Sequence, residues 1–129
     1  MNIQFKKTSK VGLFLIGALA CASFAQEAGD YRGKELKTSF RDKRIDGFRF
    51  DNAKAVEGQT DFQRSAGDAP SFRGATLSGV SFQNAVISNP DFRKADLKKV
   101  TISGADIRGA NFEGANMEEA NLYRATLLD

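Results

Sequence analysis

Chemistry in this chain would have to rest on very few side chains. There is one cysteine, Cys21, and no histidine, so the commonest general base and the usual nitrogen ligand for a metal are both missing. Carboxylates remain. Asp61, Asp91, Asp96 and Asp106 stand at multiples of five from one another, each one place before an apolar residue, and Asn111, Asn116 and Asn121 continue the same place. Gly74, Gly79, Gly104, Gly109 and Gly114 fall two places after an apolar residue rather than in a phosphate-cradling loop, where they serve a bend in the chain. The sequence thus predicts no catalytic, cofactor-binding or metal-binding residue, and no enzyme.

What would position these residues is a frame of five. The apolar positions are Phe62, then Phe72, Leu77, Phe82, Ile87, Phe92, Leu97, Ile102, Ile107, Phe112, Met117, Leu122 and Leu127. Two places before them, from Phe72 onward, come Pro70, Ala75, Val80, Ala85, Pro90, Ala95, Val100, Ala105, Ala110, Ala115, Ala120 and Ala125. One pentad breaks the series, with Ser65 and Gly67 in the two positions. A helix repeats at about 3.6 residues and a strand at 2, so neither alone gives this spacing. A chain with two small or apolar residues in every five buries them only by turning repeatedly about one axis, each coil closing on its neighbours.

The pentads ADLKK (95–99), ADIRG (105–109), ANFEG (110–114), ANMEE (115–119) and ANLYR (120–124) resemble the pentapeptide-repeat family, whose motif is roughly A(D/N)LXX. The resemblance implies an all-β fold, a right-handed quadrilateral β-helix with four pentads per coil. It also implies that Asp or Asn before the central residue serves turn and backbone bonding, and that the C-terminal end often pairs two copies. Four faces per coil agree with the residues themselves. Pro70 and Pro90, Val80 and Val100, and Phe72, Phe92 and Phe112 each recur at 20, which stacks like on like in a ladder of layers about 4.8 Å apart.

Four segments follow. Residues 1–25 read as a signal peptide: Lys6, Lys7 and Lys10 precede the apolar run Val11–Ala20, which is short of the roughly 20 residues that span a bilayer. Cleavage is expected after Ala25, following Ser23-Phe24-Ala25. The alternative lies after Ala20, where ALAC resembles a lipoprotein box and would make Cys21 the lipid-bearing residue of an envelope-anchored protein. Residues 26–37 are polar and read as a flexible link or an N-terminal cap. Residues 38–59 hold a second phase, Phe40, Ile45, Phe50 and Ala55, offset by two inserted residues near Gly58–Gln59; an irregular first coil and a capping loop both fit. Residues 60–129 form the regular rod, ~17 Å long from the inter-strand spacing.

Removing the leader changes the charge. Taking its three lysines from 19 leaves 16 cationic side chains against 16 carboxylates, a net of zero. The topoisomerase-binding DNA mimics of this family are strongly acidic rods, so that role is a remote alternative, and no nucleic acid partner is expected. Column reading places Arg93 beneath Glu113, Lys98 beneath Glu118 and Lys99 beneath Glu119. The modestly basic stretch Arg32–Lys54 could meet anionic lipid or a polyanion, and Tyr31 and Tyr123 are single aromatic handles. The last pentad stops without a cap, which exposes backbone and apolar edges. These features give an exported scaffold or interaction module, periplasmic or secreted, needing no cofactor. Its expected partners are a second copy at the C-terminal end or another protein, with the membrane involved only if Cys21 is lipidated.

Overall fold

The computed structural model describes residues 29–129, which contain five short strands and no helix. β1 (Glu35–Leu36) pairs in parallel with β2 (Lys54–Ala55), while β3 (Ala66–Asp68), β4 (Val86–Ser88) and β5 (Asp106–Arg108) form a parallel sheet in that order. The other faces are held by single parallel bridges such as Ser71↔Asp91↔Asn111, Thr76↔Asp96↔Asn116 and Ser81↔Thr101↔Asn121. Every partner in this part of the chain lies four pentads on, so four pentads make one coil. The fold is a right-handed quadrilateral β-helix.

Each corner is a turn that the sequence writes in the same way. The N–H of the small residue donates to the carbonyl of the apolar residue three places earlier, as from Ala75 to Phe72 (3.0 Å) and from Val80 to Leu77 (3.1 Å). The residue between them, two after the apolar one, takes positive φ: Gly79 at 72°, Gly104 at 68°, Asn84 at 58°. Glycine suits Gly104 doubly, because its φ is positive and a Cβ there would lie 2.5 Å from Asn84 Oδ1 on the coil below, which would have to move aside. Pro70 and Pro90 have no N–H to give to such a turn. The runs before them, β3 and β4, are accordingly among the few that lengthen into named strands.

The interior is four columns of like side chains. Phe50, Phe72, Phe92 and Phe112 stack face to face at 4.8, 4.8 and 5.2 Å, and Phe40, Phe62 and Phe82 at 4.8 and 4.8 Å. The two columns meet edge to face, for example Phe62 against Phe72 at 5.4 Å. Such pairs add about 0.5–1.5 kcal/mol each beyond the area they bury. Leu77, Leu97 and Met117 fill the third column, and Ile45, Ile87, Ile107 and Leu127 the fourth. Gly67 belongs to that fourth column. A Cβ on it would sit 2.9 Å from the Ile45 backbone and 3.1 Å from Ile45 Cγ1, so Ile45 already occupies the space that the missing side chain would fill. Ser65, in the same broken pentad, is fully buried with no partner for its hydroxyl among the described residues.

Residues 38–57 wind as a coil of the same helix. Ser39↔Asp61, Arg44↔Ala66, Arg49↔Ser71 and Lys54↔Thr76 are all two places wider than the regular spacing. The two extra residues are absorbed at Val56–Thr60, where Gln59 and Thr60 both donate to the Val56 carbonyl. Thr60 Oγ1 accepts the Val56 N–H at 2.8 Å and donates to the Leu36 carbonyl, tying this loop to the strand beneath it.

Below that coil, residues 29–37 add part of another. Asp30 pairs with Arg49 and β1 with β2, in both cases at one place less than four pentads. Tyr31 lies over Phe50 (5.3 Å, 13°) and meets Phe40 edge-on (5.1 Å). It is thus a half-buried member of the aromatic stack rather than a surface handle. Phe48, in the position that carries a small residue elsewhere, folds inward and is 7% exposed, with Leu36 buried beside it.

Candidate functional site

The two expected sites of attachment fare differently. Cys21, the leader and both cleavage positions lie outside the described residues. The C-terminal coil is described, and it is open. Phe62, Phe72, Leu77, Phe82, Ile87, Phe92, Leu97, Ile102 and Ile107 are fully buried. Phe112 and Met117, one layer later, are half-buried, and Leu122 and Leu127, placed in the core by the frame, stand 40% and 38% exposed. The reason is geometric: each coil is covered by the one that follows it, and no described residue lies over these.

The backbone of this edge is equally unfinished. One coil below, Phe92 N–H donates to the Asn111 carbonyl (2.8 Å) and Lys94 N–H to that of Glu113 (2.9 Å). The corresponding donors of Phe112, Gly114, Met117, Glu119, Leu122 and Arg124 find no backbone acceptor among the described residues, nor do the carbonyls of Ala110, Ala115 and Ala120 find a donor. Apolar side chains flanked by regularly spaced donors and acceptors are what a further layer of β-structure would bind. Leu128, at 61%, and Tyr123, at 66%, extend the exposed apolar surface around the rim.

Except for Asp106, whose two oxygens both hold Arg108, the aspartates and asparagines singled out before the central residues serve the backbone. Asp61 Oδ1 accepts the Gln63 N–H (2.8 Å), Asp91 that of Arg93 (3.1 Å), Asp96 that of Lys98 (3.2 Å), and Asn111, Asn116 and Asn121 do likewise (2.9–3.1 Å). A side chain pointing outward thus satisfies an amide at the start of the next turn. Several also hold a guanidinium two places away on the same rung, as Asp91 does with Arg93 (2.7 Å) and Asp106 with Arg108 (2.7 Å). Those hydrogen bonds to arginine hold both carboxyls below the usual aspartate range. Arg93 therefore pairs within its rung, not with Glu113 as the column reading had it. Lys98–Glu118 (3.2 Å) and Lys99–Glu119 (3.8 Å) do form between layers. No cluster of three or more metal-ligating side chains occurs among the described residues.

The repeat has a match among known families. Residues 72–127 fit the family model described as "Pentapeptide repeats (9 copies)". This stretch is built of pentapeptide repeats. Solved pentapeptide-repeat structures similar to it include Rfr23 from the cyanobacterium Cyanothece 51142, at 16% identity and a TM-score of 0.44, covering 77% of this chain and 88% of that one. A pentapeptide-repeat protein of the Arabidopsis thaliana thylakoid lumen is 24% identical with a TM-score of 0.28, over 74% of this chain and 62% of the other. QnrB1, a plasmid-mediated fluoroquinolone resistance protein, is 14% identical with a TM-score of 0.32, over 76% and 72%. No curated protein matches the chain. Pentapeptide-repeat proteins are generally non-enzymatic structural and interaction proteins.

Proposed function

We propose that this pentapeptide-repeat protein is an exported, non-enzymatic scaffold that associates with a second copy of itself through its C-terminal coil. The observation that supports this reading is the unfinished last layer: Phe112, Met117, Leu122 and Leu127 are partly uncovered, inside a ring of backbone groups without partners among the described residues. A second copy presents the same two features and can cover both at once, as an isologous contact requires. Export rests on the leader, with its basic start, apolar run and small-residue cleavage site.

Sedimentation equilibrium of the protein as its host processes it tests the association. A dimer is expected, and Leu122→Glu should return it to a folded monomer whose melting temperature, unlike the parent's, no longer depends on protein concentration. A monomer at all concentrations for the parent protein would overturn the self-association. The intact mass of the same material tests export: a soluble species starting at Gln26 is expected. A membrane species starting at a mass-shifted Cys21 would replace the scaffold with a lipid-anchored protein.

A further inference from the structure

On the side of the rod that carries Tyr31, Phe50, Phe72 and Phe92, two neighbouring rungs break a charge pairing seen on other rungs. On the rungs of Tyr31, Phe92 and Ile107 the residues just before and just after the central one are an aspartate and an arginine. In each case the two side chains lock together by two hydrogen bonds: Asp30–Arg32, Asp91–Arg93 and Asp106–Arg108. Arg44 and Asp46 do the same in reverse order. The rungs of Phe50 and Phe72 depart from the rule. On the first, Arg49 stands before Phe50, and Asp51 after it is taken by the Ser71 hydroxyl one layer on. On the second, Ser71 replaces the aspartate, so Arg73 has no mate on its rung. Its nearest carboxylate is Asp91 at 3.8 Å, which already accepts two bonds from Arg93. Arg49 and Lys94 make no ion pair with any described residue, so three successive rungs each carry a cation without a carboxylate of its own.

These cations line a groove of about 510 Å³ that runs along the rod. Asn52, Gly74 and Lys94 follow one another in its middle column, with the Asn52 side-chain oxygen lying over Gly74. The rings behind it set the rung spacing at 4.8 Å. Each exposed cation alone is worth little. A ligand must therefore engage several at once, so it carries anionic groups repeating along a line. The groove also presents Asn52, Asp51 and Glu113. The two carboxylates repel a polymer that is all phosphate but accept hydroxyl donors, and no aromatic side chain lines the groove to stack a base. Sugars bearing acidic groups combine the required anions with hydroxyls.

We infer that the groove between Arg49, Arg73 and Lys94 binds a linear acidic polysaccharide lying along the rod axis. Titration calorimetry with a size-defined oligogalacturonate, at low and at raised ionic strength, is the test. Saturable binding that weakens with salt is expected, with none to the methyl-esterified oligomer, which keeps the hydroxyls and loses the charge. Arg49→Gln combined with Arg73→Gln should weaken it about tenfold. Lys94→Gln, which disturbs no ion pair, should weaken it a few-fold, and Arg108→Gln, on another side of the rod, should leave it unchanged. The inference is overturned by an absence of saturable binding at low salt, by an equal loss in Arg108→Gln, or by inorganic polyphosphate binding as tightly as the oligouronate. Dimerisation through the last coil is read separately by sedimentation, so either result can stand without the other.

Discussion

The two ends of this rod obey the same pentad rule and meet opposite fates. At the N-terminal end Tyr31 lies flat over Phe50, Phe48 turns a large ring into a small-residue position, and Leu36 is 1% exposed. At the C-terminal end the frame continues through Leu122 and Leu127 without any described residue to cover them. A repeat therefore specifies the interior of a solenoid but not its limits. Termination needs residues that break the pattern, and among the described residues they stand at the N-terminal end.

The sharpest way to probe that contrast is to remove one column member in the middle and one at the open end. Phe92→Ala should cost about 3–5 kcal/mol, since its neighbours on both layers lose a stacked ring. Leu127→Ala should cost less, about 1–2 kcal/mol, because more than a third of its surface stays in water and it leaves no enclosed cavity. Urea denaturation of both variants, at a protein concentration where sedimentation shows a monomer, checks the difference, and equal losses there would contradict an open last layer. Next in size is the cap. Tyr31→Ala should cost about 2 kcal/mol, whereas Tyr31→Phe should be neutral, as the hydroxyl has no hydrogen-bond partner among the described residues. A smaller effect of opposite sign is expected inside the broken pentad. Ser65→Ala should stabilise by about 1 kcal/mol, because it removes a buried hydroxyl without a partner.

Acid should separate the ends least. Asp30, Asp42, Asp91 and Asp106 are all held below the ordinary aspartate value of 3.8, chiefly by hydrogen bonds from arginine. A depressed carboxyl binds its proton less readily when folded than when unfolded. Its contribution is therefore complete above that ordinary value and lost as pH falls through the folded one. With no histidine, the urea midpoint should be flat between about pH 6 and pH 8 and decline below about pH 4. A transition near neutrality would contradict this.

Much of the rod was legible because its period is carried by residue size. Phe72, Phe92 and Phe112 repeat at the coil spacing, and they stack. The phase shift at Val56–Thr60 was visible too, as a change in the spacing between Phe50 and Phe62. The cap was not. Tyr31 precedes Phe50 by one place less than four pentads, a spacing that neither phase of the repeat uses, so a search by period passes over it. The partner of Arg93 departs from the column reading for a different reason. Sequence columns follow neighbours across layers, but residues two apart on one rung point the same way and lie closer for a long, forked side chain. The spacing of Asp30 to Arg32, of Asp91 to Arg93 and of Asp106 to Arg108 was the available signal. Arg49 and Arg73, which lack such a mate, stand out only once that rule is known.

The coil-to-coil register also has a consequence in time. Every coil rests on the one made just before it, and no hydrogen bond of the regular part reaches further than the next layer. The capped end is synthesised first, and each later set of four pentads meets a finished template as it emerges. Growth can proceed as a zipper running with translation or secretion, without waiting for the far terminus. The last described layer forms after all the others, and its edge still offers the template that each earlier coil has used.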